Sequence, residues 1–173
     1  AIGNVVVIGI ISQGTSVHPT GITSTNATWT QLGTSFTGTV TADTIYWFQG
    51  VASSASSATA TIAFSGTKPT TRAGFFQAKS SVGSWTFDNQ ATLDSSGTNT
   101  WPNPGGTAGD LAAGYAFNSG TAVNGTNGTP AGMVYTQDAN GNGFAYNLNS
   151  QPAQPAVWGD STQAFGSVIT LKE

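Results

Sequence analysis

The stretch Ser57–Phe64 alternates, with Ala58, Ala60, Ile62 and Phe64 on one side and Ser57, Thr59 and Thr61 on the other. A period of two is the signature of a half-buried β-strand, because successive side chains point to opposite faces of a sheet. Just upstream, Asp43–Val51 places Ile45, Trp47 and Val51 on one face and Tyr46 and Phe48 on the other. Apolar side chains on both faces predict a strand covered on both sides. Between the two, Ala52–Ser57 is small and polar enough to let the chain reverse. A chain carrying this strand–turn–strand unit is constrained to build sheets.

Composition points the same way. The 173 residues are read as a single domain, 1–173, long enough to bury a core. Charged residues make up only 6%, against 38% hydrophobic and 10% aromatic, so the chain is too apolar for disorder. Thr, Val and aromatic residues outweigh Glu, Lys, Arg and Leu, which disfavours helix. The net charge is −3, and of the basic residues only Lys68, Arg72 and Lys79 cluster, so a surface that tracks phosphates is not expected and nucleic acid is excluded as a partner. Absence of Cys removes disulfides and thiolate chemistry but leaves the compartment open. The longest apolar run, Val5–Ile11, suits a buried strand and is too short to span a membrane, so no membrane insertion is expected. It lacks the basic leader and cleavage motif of a signal peptide, and a start at Ala1 reads as a processed terminus or a domain cut from a longer chain.

Taken in order, Asn4–Ser12 is the first strand and Gln13–Asn26 a loop punctuated by Gly14, Pro19 and Gly21. Thr28–Leu32 is a short strand that Phe36–Val40 extends past Gly33. Thr71–Lys79 is a strand with Phe75 or Phe76 facing the core. Ser80–Gly106 reads as short strands and packed loops around Trp85, Phe87, Leu93 and Trp101. Asp110–Phe117 is a strand with Leu111, Ala113, Tyr115 and Phe117 on one face. Its other face carries Ala112, Gly114 and Ala116, small enough for something to approach closely. Asn118–Pro130 is a Gly- and Asn-rich loop. Met133–Gln137 and Phe144–Leu148 flank an Asn-Gly turn, a hairpin signal. Gln151–Pro155 is a connection, Val157 and Trp158 start a short strand, and Phe165–Leu171 closes the chain. About eight to ten short strands predict an all-β fold, a two-sheet antiparallel β-sandwich of jelly-roll-like character.

These landmarks also carry a resemblance. An apolar first strand (Val5–Ile11) is followed by Trp-Thr-Gln-Leu (Trp29–Leu32), an aromatic strand (Ile45–Val51), an Ala/Ser linker, Thr59–Gly66, a Phe-rich strand and a late Gly-Tyr-Ala-Phe (Gly114–Phe117). Together they resemble jelly-roll-like β-sandwich domains of virion accessory proteins in tailed bacteriophages, both capsid-decoration and tail-associated, and of some secreted bacterial proteins. The resemblance implies a virion-surface or extracellular location and no catalytic residues to carry over.

Chemistry-bearing residues are few. His18 is the only histidine and precedes Pro19 in a loop, which reads as a solvated side chain rather than part of a triad or metal site. Asp88 and Asp94 are the pair of acids nearest Trp85, but a glycosidase needs two carboxylates at a set separation with one raised pKa, and such Asp residues more often cap turns. Asp138, Asn140 and Asn142 match the first half of a calcium loop, the single cofactor the chain suggests. The twelfth position there is Asn149 rather than the bidentate Glu, and Asn-Gly is itself a favoured hairpin turn. Asn26, Asn124 and Asn127 each begin a glycosylation sequon, of consequence only in a secretory host.

Five tryptophans raise the question of sugar stacking. Trp29 and Trp47 sit in alternating strands and read as core. Trp85, Trp101 and Trp158 lie in loop-rich or Pro-flanked segments and are the carbohydrate-stacking candidates, although a sandwich poor in Leu also needs large aromatics inside.

The function expected is therefore non-enzymatic: a structural domain on a particle surface, with like subunits or other virion proteins as partners. Its assembly-face candidates are the strand Val5, Val7, Ile8 and Ile10 and the small-residue face Ala112, Gly114 and Ala116. One alternative is a carbohydrate-binding module or adhesin tip that contacts a cell-surface glycan. The other is an extracellular filament subunit in which Val5–Ile11 completes a neighbour's sheet.

Overall fold

The computed structural model describes residues 4–14, 16–54, 59–67, 70–107, 109–118, 132–139, 141–147 and 157–173, with the side chains of 97–99, 118 and 157–163 left aside. The expected loop Asn118–Pro130 lies outside the described residues from position 119 on, its first residue being the end of a strand; the connection Gln151–Pro155 and Asn140 also lie outside them. Within the described residues there is no helix and there are eleven strands, all paired antiparallel where the register is defined. The chain is all-β.

Two compact units are distinguished. The first comprises Ala1–Thr37, Asp43–Thr86 and Glu173; the second comprises Gly38–Ala42 and Phe87–Lys172.

In the first unit, β1 (Asn4–Ser12), β3 (Ala27–Thr37), β4 (Thr44–Ala52) and β6 (Thr71–Lys79) form a sheet in the order β3-β4-β1-β6. The apolar run Val5–Ile11 is thus a central strand, paired with β4 on one edge and β6 on the other. Opposite residues in an antiparallel pair share a face. Val5, Val7 and Ile11 therefore lie with Ile45 and Trp47 of β4 and with Phe76 and Ala78 of β6, all buried. Gly9 is opposite both Trp47 and Gly74, which leaves room for the indole.

The other face of the same sheet carries Val6, Ile8, Ile10, Tyr46, Phe48 and Trp29. On it lies a two-stranded sheet of β2 (Pro19–Thr23) and β5 (Thr61–Phe64), which contributes Ile22 and Ile62 to the shared cluster. This is sheet-on-sheet packing, and it explains why β1 and β4 are apolar on both sides. The strand β2 falls within the stretch expected to be a loop. Pro19 opens the strand, where a missing N–H costs nothing, and the register shifts between Pro19 and Gly21. The sequence signal is Ile22, a lone branched apolar residue between Gly21 and Thr23, which the structure buries.

In the second unit, β7 (Thr86–Thr100), β8 (Leu111–Asn118), β9 (Val134–Gln137), β10 (Gly143–Asn147) and β11 (Val157–Lys172) form one sheet in the order β7-β11-β8-β10-β9. The expected short strands after Ser80 are instead one strand of 15 residues. Its apolar positions Phe87, Ala91 and Leu93 keep the period of two among polar neighbours, enough for an outer strand. Likewise β11 is one strand of 16 residues rather than two pieces. The expected hairpin is present as β9–β10.

The small-residue face of β8 is where sequence and packing meet most closely. Ala112 and Ala116 join Trp101, Met133, Tyr135, Ala145, Ala164 and Val168 in the core of this unit. A Cβ on Gly114 would stand 2.8 Å from Trp101 Cζ3, and one on Gly166 would stand 2.5 Å from the Ala116 Cβ. Trp101 fills the space that the small residues leave.

Two outcomes test this packing. Trp101→Ala should lower stability by about 3–5 kcal/mol in urea denaturation, the usual cost of emptying a large aromatic site. Gly114→Val should also destabilise, by about 1–3 kcal/mol, through overpacking against the indole. A neutral result for either would mean that Trp101 does not lie on β8.

Candidate functional site

The assembly-face candidates do not form a free surface. Val5, Val7 and Ile10 are fully buried, Ile8 nearly so, and both edges of their strand are paired. With both edges occupied within its own chain, β1 offers no open edge to a neighbour's sheet in this arrangement. Ala112, Gly114 and Ala116 are buried beneath Trp101. The expectation that something approaches them closely holds, but what approaches is the chain's own indole.

The stacking candidates fare similarly. Trp101 is 2% exposed and Trp85 7%, so neither presents a ring face to a sugar. Trp85 is tied to β4: its N–H donates to Gln49 Oε1 at 2.9 Å and its carbonyl accepts from Gln49 Nε2 at 2.8 Å. The Gln49 amide thereby acts as a stand-in for a neighbouring strand, satisfying a buried peptide group. Trp158 lies in β11 where side chains are outside the described residues.

Each acid considered for chemistry has a structural occupation. Asp94, on β7, lies among three successive backbone N–H groups: Thr39 at 2.5 Å, Val40 at 2.7 Å and Thr41 at 3.1 Å. The Thr41 hydroxyl adds a donor at 3.1 Å. Gly38 is needed beside it, since a Cβ there would meet the carboxyl carbon at 2.6 Å. Ala42 completes the loop at φ 56°, the only non-glycine residue with positive φ among those described. Burial pushes the Asp94 carboxyl up, but the N–H groups of Val40, Thr41 and Thr39 outweigh it and hold the pKa below its ordinary value. That is the reverse of what a general acid needs.

Asp88 pairs with Lys172 Nζ at 2.8 Å. This hydrogen bond, with the Asp88 charge, raises the Lys172 pKa. Asp110 is buried at the start of β8, where it accepts the Thr107 N–H while its own N–H donates to the Thr107 carbonyl. The Ser81 hydroxyl and N–H donate to Glu173 and hold its carboxyl below the ordinary value.

At the proposed calcium loop, both oxygens of Asp138 face donors. The Asn142 N–H reaches Oδ1 at 2.9 Å and the Asn142 side-chain amide reaches Oδ2 at 2.6 Å. Backbone bonds from Asp138 N–H to the Asn142 carbonyl and from Gly141 N–H to the Asp138 carbonyl close the turn, with Gly141 at φ 81°. This is turn chemistry, in which the carboxylate organises its own hairpin. Among the described residues no three acidic, His or Cys side chains converge on one point.

His18 is exposed, stacked on Tyr46 at 6.4 Å between ring centroids, with its Nδ1 3.3 Å from the Ser65 hydroxyl. The backbones are bonded as well: Ser65 N–H donates to the His18 carbonyl at 3.0 Å and His18 N–H to Ser65 Oγ at 3.1 Å. The imidazole reads as part of the β2–β5 junction.

What remains at the surface was not singled out from the sequence. β6 is an outer strand, and its register against β1 decides which phenylalanine faces in: Phe76 lies beside Val7 and is buried, while Phe75 is 71% exposed. On the same exposed row lie Ala73, Gln77 and Lys79. Comparison with protein-family models, with curated proteins and with solved structures gives no match.

Asp94→Ala should cost about 1–2 kcal/mol, the loss of a multiply bonded cap. A carboxyl with a depressed folded pKa stabilises at pH values above its ordinary 3.8, and that stability is lost as pH falls through the lower folded value. Thermal melts of wild type and Asp94→Asn should therefore differ at pH 6 and converge in stronger acid; a constant gap would refute the cradle. For Asp138, calcium should leave the melting temperature unchanged, whereas a rise on calcium addition that EDTA reverses would restore ion binding to this loop.

Proposed function

We propose that the chain is a non-enzymatic structural domain on a particle surface, most simply a virion component of a tailed phage, working through contact with like subunits or other virion proteins. The observation that carries this reading is the use made of the acids. Asp88, Asp94, Asp110 and Asp138 hold a lysine, a loop, a strand start and a hairpin of the same unit. Side chains engaged in that way are poor reagents and good scaffolding.

The low charge supports the same reading. With 6% charged residues, surfaces can be covered by neighbours without stranding many ions away from water. Abundant Ser, Thr and Asn supply hydrogen bonds in their place. A capsid or tail address rests on the resemblance of the sequence landmarks alone and is part of the proposal.

Electron microscopy of the native source, with an antibody raised against this chain, tests it. The label is expected in regular array on a capsid or tail, and light scattering on the purified protein is expected to show an assembled species. A monomer that never associates with particles overturns the reading. So does turnover of any substrate that disappears in Asp94→Asn or His18→Ala protein still folded by circular dichroism.

A further inference from the structure

The outer strand β6 combines three features that the rest of the fold does not use. Half of the backbone N–H and C=O groups of an outer strand point away from its single partner, and β6 is paired with β1 alone among the described strands. Its exposed row carries a large apolar side chain, Phe75. Four residues on, and on the same face, Lys79 is exposed and makes no ion pair with any described residue. Between Arg72 and Lys79 the strand Ala73–Ala78 bears no charge.

We propose that β6 is a strand-addition site for an extended, acid-bearing segment of a different polypeptide. The inference deepens the assembly reading and rests on it. Main-chain hydrogen bonds supply the pairing, and alternate side chains supply the choice of partner. In an antiparallel pair the partner residue opposite Lys79 precedes the one opposite Phe75 by four positions, on the same face. The fitting segment therefore has Asp or Glu, then a small polar residue two places on, opposite Gln77, then an aromatic or branched apolar residue two further on.

A second folded copy does not offer this pattern. Asp43 before Trp47 is the one place in the chain with an acid four residues ahead of an aromatic, and both are buried, Asp43 just before β4 and Trp47 within it. The occupant is thus another chain. The competing use of Lys79 is protective, since an exposed lysine on an outer strand discourages unwanted pairing.

The test uses the whole chain and a fluorescein-labelled nine-residue peptide, Thr-Glu-Val-Thr-Val-Tyr-Val-Thr-Thr, with a control in which Lys replaces Glu. Anisotropy titrations should show the acidic peptide binding about tenfold more tightly than the control, the difference shrinking with added salt. Lys79→Glu should reverse the preference, and Phe75→Thr should weaken both peptides; both positions are exposed, and folding is checked by circular dichroism. Neither peptide binding, or both binding equally, overturns the proposal. Self-association that appears on Lys79→Gln without peptide binding also overturns it, by showing an edge that is guarded instead of used. Particle association in the native source without peptide binding leaves the assembly reading standing and removes this inference alone.

Discussion

A strand buried on both faces and bonded along both edges sets the terms for everything around it. β1 is that strand. Each of its residues must suit four neighbours at once, so its sequence is reduced to Val, Ile and Gly between Asn4 and Ser12. Its two faces make different demands. One needs the width of Trp47 and gains it by placing glycines opposite on β1 and β6. The other needs a cover, which the short β2–β5 pair provides with Ile22 and Ile62. Shifting β1 by one residue would exchange the two sets of side chains between faces, so its register is strongly specified.

The second unit solves the same problem with size complementarity. Its sheet presents alanine and glycine on one face, and single large side chains, Trp101 above all, lie against that floor. Close-packed interiors tolerate little deviation in volume, so a flat floor and a large ring specify each other. Charge has almost no part in either core. Two enclosed polar side chains are matched within their own unit, Gln49 to the peptide group of Trp85 and Asp110 to the N–H of Thr107.

Much of this architecture was legible in the sequence, because period-two alternation reports directly on which face is covered. The strands at β1, β4, β6, β8 and the β9–β10 hairpin follow from it. The errors have a common physical source. Pro19 and Gly21 read as loop because local propensity carries no information about a two-stranded cover, which needs few ladder bonds. Thr86–Thr100 read as fragments because an outer strand needs few apolar residues. The site residues were harder still. Burial of Trp85 and Trp101 depends on partners distant in sequence, and the same indole serves a core or a sugar. The exposure of Phe75 rather than Phe76 is settled only by the pairing of β6 with β1, which no local pattern encodes. The cradle around Asp94 spans 53 to 55 positions of sequence, beyond the reach of any motif.

The hairpin turn that Asp138 organises also bears on how the protein ages. Asn142 precedes Gly143, and an asparagine followed by glycine is the pair most prone to lose its amide through a cyclic imide. Here the amide nitrogen and the backbone N–H of Asn142 are both held by the Asp138 carboxylate, and Gly143 is already committed to β10. The backbone rotation that ring closure requires is therefore resisted while the turn is intact. Should the reaction occur, a second carboxylate would stand where the amide now sits, 2.6 Å from the first, and like charges that close repel. One deamidation would thus undo the turn that had been slowing it.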